Sequence, residues 1–276
     1  MSPWPPPASN GAPVQGWYPD PWTPGGLRWF DGRAWTGQLA TATKAPEPDP
    51  TFPLVAAWWG LAVFAATTVL VRPVSSLLAG SLPAVLAVVL LIGSFYAPLV
   101  AYCAWASRRW GTGRMSDDFG LRGRPLDLAW GLAALASSYA AQIAVAAVLL
   151  VTRVPLSSNT EGVQELSDER AVYLAFAAGA VLAAPFVEEL FCRGLLLRSF
   201  RSRWSAPLAI GLQGALFGLF HADPLLGWGN IGLVLLLATV GSVWGIFAHV
   251  IRRLGPTMVA HALMNAVVFV VLLVTA

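Results

Sequence analysis

From Phe52 onward the chain is a succession of apolar runs, each of roughly 20 residues, the length an α-helix needs to cross about 30 Å of hydrocarbon. No other feature restricts the fold so severely. Inside lipid every backbone amide must be satisfied within its own segment, so such runs must become helices packed against one another. Seven segments can be placed, over residues 53–71, 83–106, 126–151, 171–192, 206–223, 231–251 and 256–275. The expected architecture is an all-α membrane protein, a polytopic bundle of about seven transmembrane helices. Composition supports that reading: of 276 residues, 57% are hydrophobic and only 11% charged, too apolar a balance for an ordinary soluble domain.

Arginine sets the expected topology. Arg108, Arg109, Arg114, Arg122 and Arg124 lie between the second and third spans, Arg193, Arg198, Arg201 and Arg203 beside and after the fourth, and Arg252 and Arg253 after the sixth. The positive-inside tendency assigns these loops to the cytoplasm. The intervening loops carry Arg72 alone, then Arg153 and Arg170 outnumbered by Glu161, Glu165, Asp168 and Glu169, then Asp223, which suits the outer side. A multi-pass protein of the plasma membrane follows, N-terminus cytoplasmic and C-terminus outside. The lipid bilayer is therefore its first partner, and the net charge of +3 concerns orientation rather than nucleic acid, for which no basic, aromatic-interleaved patch exists. Cys103 and Cys192 lack metal-type spacing and read as small buried hydrophobes rather than a disulfide.

The first fifty residues differ in kind, being rich in Pro, Gly and Trp, and carry no cleavable signal peptide. Residues 1–15 read as disordered and 40–52 as a linker. Between them, 16–39 reads as a small Trp-rich β-module on the cytoplasmic side. Its turn signals are Pro19-Asp20-Pro21, Gly25-Gly26 and Asp31-Gly32, the last giving a hairpin between Arg28-Trp29-Phe30 and Arg33-Ala34-Trp35-Thr36. The stretches GWYPDP, LRWFDG and WT resemble a tryptophan-rich domain of unknown function found at the N-terminus of many bacterial membrane proteins. The module is expected to clip a protein partner or the membrane surface, or to serve as a structural cap.

The remainder, 53–276, is the helical bundle, and polar residues within it are few enough to weigh singly. Insertion scales place a charged group at bilayer depth at about 2.5–3.5 kcal/mol, so such groups face the interior and have partners. Glu188 and Glu189 are adjacent near the end of the fourth span. Glu189 and Arg193, four apart, share a helix face and can pair; Glu188 points about 100° away and has no helical counter-ion. Pro185 should disturb that helix and release a backbone carbonyl, tolerable only where the interior supplies a donor or water. Phe217 and His221 share one face in GALFGLFHAD, as do His261 and Asn265 in TMVAHALMNAVV. A buried carboxylate beside a neutral imidazole can take a proton from water. A second imidazole with a side-chain amide can donate to the oxyanion of a tetrahedral intermediate, worth about 3 kcal/mol per donor. His249, beside Arg252 and Arg253 and in no motif, reads as structural.

The combination Glu188-Glu189-x-x-x-Arg193, Phe217-x-x-x-His221 and His261-x-x-x-Asn265, in this order on apolar segments, resembles the CPBP family of intramembrane proteases, which includes the CAAX prenyl endopeptidases and the Abi bacteriocin-immunity proteins. The resemblance covers about residues 125–275. It implies an intramembrane endopeptidase acting on a membrane-associated protein or peptide, with Glu188 and His221 activating water, Glu189 and Arg193 holding the site, Phe217 supporting it, and His261 with Asn265 stabilising the oxyanion. Two mechanisms stay open, glutamate-dependent and metal-dependent. No cofactor is demanded; if a divalent metal such as zinc is present, its ligands are Glu188, His221 and His261, although H-E-x-x-H is absent. A proton-coupled transporter and a non-catalytic scaffold or immunity protein are the rival classes. The boundaries above also leave a conflict of depth: at about 1.5 Å per residue, Glu188 and His261 lie near the cytoplasmic end, and His221 deeper or nearer the outside.

Overall fold

In the computed structural model the described residues are 16–41, 52–78, 80–158, 160, 163, 169–223 and 227–275. The disorder expected over 1–15, most of the linker expected over 40–52, and the acidic residues Glu161, Glu165 and Asp168 lie outside them. The chain forms two units, residues 1–49 and 50–276.

The first unit is a three-stranded antiparallel sheet in the order β1 (Gly16–Pro19), β2 (Gly26–Phe30), β3 (Trp35–Thr41). The hairpin expected at Asp31-Gly32 forms, with Phe30 opposite Trp35, so the loop holds four residues rather than two. Asp31 makes that loop: its Oδ1 accepts from the backbone N–H of Arg33 and of Ala34, both at 2.7 Å, and Gly32 supplies the positive φ of 93°. Trp17 opposes Trp29 in edge contact at 5.5 Å, and Phe30, 1% exposed, packs edge-on to Tyr18 and Trp35. Asp20 is tied to Arg28, whose guanidinium also lies 4.9 Å from the ring of Trp22. β3 continues to Thr41, through the first two positions of the expected linker.

The second unit is a helical bundle. Its elements are α1 (Leu54–Leu78), α2 (Ala84–Trp110), the short α3 (Met115–Asp118), α4 (Asp127–Val151), α5 (Arg170–Arg201), α6 (Ala206–Leu219), α7 (Gly229–Ile251) and α8 (Gly255–Thr275). Six of these, all but α3 and α6, are long and apolar enough to cross a membrane. This is a multi-pass membrane protein. Two departures from the expected segments bear on the site. The fourth runs on to Arg201, nine residues past its expected end at 192, so its 32 residues span about 48 Å. The fifth, α6, has only 14 helical residues, about 21 Å, less than a full crossing. Glu188 therefore sits in mid-helix and His221 stops part-way, which removes the conflict of depth.

α6 and α7 meet through glycines. A Cβ on Gly241 would come within 3.0 Å of Gly214 Cα, one on Gly218 within 2.3 Å of Val234 O, and one on Gly214 within 2.2 Å of Ser242 Oγ. Without side chains between them the two backbones approach closely, the small-residue packing that membrane helices favour where no water drives them together. The arginine-rich end is latched as well: Arg198 donates to Asp118 O at 2.8 Å, Leu254 N to Gly120 O at 3.1 Å, and Arg253 pairs with Asp127. Cys103 and Cys192 are free, buried thiols.

Candidate active site

α5 is not a uniform helix. π-helical turns at Gly179–Ala183 and Leu190–Leu196 flank a six-residue α-helical stretch, Ala184–Glu189, which carries both acids. Pro185 leaves a backbone carbonyl without its donor on one side. In the first π-turn Ala184 N–H reaches Gly179 O, five residues back, so the next residue should donate to Ala180 O. That residue is proline, which has no N–H. The side chain of Asn265 takes its place, donating Nδ2–H to Ala180 O at 2.7 Å. The donor that Pro185 was expected to require is thus the amide expected at the oxyanion. A primary amide has two N–H groups, so one bond to Ala180 leaves a second donor.

The two acids have opposite surroundings. Glu189 is fully buried; its Oε1 accepts from Arg193 Nη1 at 2.8 Å and contacts His261 Nδ1 at 3.2 Å. Arg193, 1% exposed, also donates to Gly241 O at 3.2 Å, a carbonyl reachable because glycine leaves the α7 backbone bare. Its guanidinium lies 4.3 Å from the ring of Phe217 and 5.3 Å from that of Trp244, both nearly inaccessible. Phe217 is therefore a platform for the buried cation and not packing alone.

Glu188 instead faces a cavity of about 390 Å³, lined among others by Tyr96, His221, Trp244, His261 and Asn265. Its Oε2 lies 3.8 Å from His221 Nε2 and 3.9 Å from His261 Nε2. Both separations exceed a direct hydrogen bond and suit a bridging molecule. Each ring is turned by a partner on its other nitrogen: His221 Nδ1 is 2.8 Å from Phe217 O, so Nδ1 donates and Nε2 is the acceptor on the cavity side, while His261 Nδ1 is held by Glu189. Trp244 stacks on His261 at 4.8 Å.

All seven residues singled out in the sequence are therefore in one cluster. Two more belong to it that the motifs did not reveal. Trp244 on α7 packs on both His261 and Arg193, and Tyr96 on α2 donates its hydroxyl to Glu188 Oε1 at 2.8 Å. Neither stands in a spacing that marks it out from the other aromatics of the apolar runs. His249 does not line the cavity; it contacts Arg201 at 2.9 Å through Nε2.

Among the described residues no group of three or more His, Cys, Asp or Glu side chains is disposed to hold a metal ion.

The three motifs, on α5, just past the end of α6 and on α8, each contribute a side chain to the one cavity. Residues 170–267 match the family model described as type II CAAX prenyl endopeptidase, Rce1-like. Over these residues the bundle is similar to the Rce1-like family. The match begins at the first residue of α5 and ends within α8, so it takes in all three motifs, while α1, α2 and α4 lie outside it. Residues 16–48 match a model for a protein of unknown function, DUF2510, in keeping with the resemblance of the Trp-rich segment. No curated protein and no solved structure matches the chain. A protease of the CAAX type, working within the membrane, is the kind of activity this similarity supports.

Proposed function

We propose that the chain is an intramembrane endopeptidase that hydrolyses a peptide bond in a membrane-associated protein or peptide by a metal-free, glutamate-dependent mechanism. The observation that carries this reading is the position of Glu188 Oε2, facing the Nε2 atoms of His221 and His261 at 3.8 and 3.9 Å across a cavity. Water between Glu188 and His221 gives one proton to the carboxylate as its oxygen attacks the substrate carbonyl carbon. The carbonyl π electrons move to oxygen. The oxyanion is met by Asn265 Nδ2–H and by His261 Nε2–H; because His261 Nδ1 also donates to Glu189, the second donor requires the imidazolium, whose charge Glu189 balances. When the intermediate collapses, the C–N bond breaks and the proton held by Glu188 passes to the leaving nitrogen. One water is consumed, and a carboxyl and an amine terminus are formed.

Glu189 and Arg193 are placed to hold, not to react, since neither lines the cavity. The membrane in question is the plasma membrane, with the arginine-rich end and the N-terminal module on the cytoplasmic side and the C-terminus outside. Profiling of peptide termini in membranes from cells carrying the wild type or Glu188→Ala tests the activity. Termini that vanish with the substitution support it, and identical sets would favour a scaffold whose working part is the N-terminal module. Turnover that survives exhaustive chelation supports the metal-free form.

A further inference from the structure

Glu188 must present one particular oxygen to the water, yet nothing in its own helix makes that choice. The terminal torsion of a glutamate is broad and nearly two-fold, so rotamer preference does not fix the plane of the carboxylate. Glu189, its neighbour, is oriented by Arg193; Glu188 has no counter-ion on α5 and meets the imidazoles only at 3.8 and 3.9 Å. Among the described residues the one short hydrogen bond to it comes from Tyr96, at 2.8 Å on Oε1.

We infer that Tyr96 is a positioning residue, whose hydroxyl locks Glu188 Oε1 so that Oε2 alone faces His221 and His261. The inference rests on the function proposed above. It assigns a part of the site to α2, outside the segment that the Rce1-like model matches. The local fold supports it. Pro98 lies two residues beyond Tyr96 and removes the helical donor to Ser94 O, which loosens α2 at the turn that carries the tyrosine. On either side the helix is pinned: Phe95 contacts Phe64 edge-on at 5.8 Å, and Tyr102 donates to Ala56 O at 2.8 Å. The ring of Tyr96 lies against Phe95 at 5.2 Å, so its hydroxyl can be removed without removing that packing.

The test is Tyr96→Phe in the full chain reconstituted in nanodiscs. The substrate is a quenched fluorescent farnesylated peptide ending in a CAAX sequence, the class named by the family model. A hydrogen bond to a charged group is worth roughly 1.5–3 kcal/mol, so kcat should fall about 10- to 100-fold while KM and the melting temperature stay within experimental error. Infrared difference spectra supply a readout independent of turnover. Wild type minus Glu188→Gln identifies the Glu188 carboxyl band, and the same band should move in Tyr96→Phe. An unmoved band, or an unchanged kcat, overturns the assignment while leaving the proposed function intact. Equal cleavage by wild type and Glu188→Gln would instead overturn the proposed function, and this role with it; where neither cuts this peptide, the infrared band alone decides the assignment.

Discussion

Glu188 and Glu189 are consecutive on one helix and differ in almost every physical respect. On one face of α5, Glu189 is enclosed with Arg193 against Phe217 and Trp244, its charge matched within 2.8 Å. On the other, Glu188 is partly exposed to a cavity and faces two imidazoles beyond hydrogen-bond reach. On the proposed function, the difference teaches that the acid left unmatched is the one free to react. The closed face costs stability if broken, and the open face should cost activity.

The largest effect expected from breaking this contrast is at Glu188. Glu188→Gln keeps the shape and the bond from Tyr96 but removes the base, so kcat should drop about 10³- to 10⁴-fold with the melting temperature unchanged, as measured by peptide cleavage and by thermal scanning in nanodiscs. At Glu189 the sign of the contrast reverses. Arg193→Ala removes the guanidinium that matches the buried Glu189 carboxylate, a loss of about 3–5 kcal/mol that should appear as poor recovery from membranes and a much lower melting temperature. Asn265→Ala should sit between the faces, because it removes both a donor to the oxyanion and the cap on Ala180 O. A fall in kcat of about 10²-fold is expected, together with faster hydrogen exchange at residues 179–184. A pure oxyanion role would leave exchange unaltered.

The smallest effect is expected far from the cavity, in the N-terminal sheet. The Arg28 guanidinium holds the Asp20 carboxyl below its usual range against the opposing effect of burial. A folded-state value below the unfolded one means stability that is present near neutral pH and lost as pH falls through the folded value. The Trp indole NMR signals of the sheet should therefore be perturbed by Asp20→Asn at pH 6, and the difference from wild type should close in strong acid.

How much of this could be read from the residues depends on range. Periodicity and length were enough for the bundle and for the pairing of Glu189 with Arg193, because both are local along one helix. The meeting of Glu188 with His221 and His261 was legible only through the motif resemblance, since the contacts cross 33 and 73 positions of sequence. Hydropathy misjudged α5 and α6. Leu195, Leu196 and Leu197 carry the apolar run past Arg193, and α6 stops short of His221 although Phe220 and Ala222 are as apolar as the residues before them. A π-turn has no composition signature beyond Pro185, and a lone tyrosine among apolar residues gives no hint that its partner lies 92 positions away. The four-residue loop of the N-terminal hairpin was missed because Asp31 bonds to the two following amides instead of closing a two-residue turn.

The central claim, that Glu188 delivers water directly to the peptide carbonyl, is tested most directly by a single turnover of the wild-type chain in H₂¹⁸O, followed by mass spectrometry of both product and protein. The account predicts one ¹⁸O in the new C-terminal carboxyl of the product and none in the peptide containing Glu188. Label in Glu188 with an unlabelled product would contradict it, because the oxygen would then have come from an acyl-enzyme and not from water.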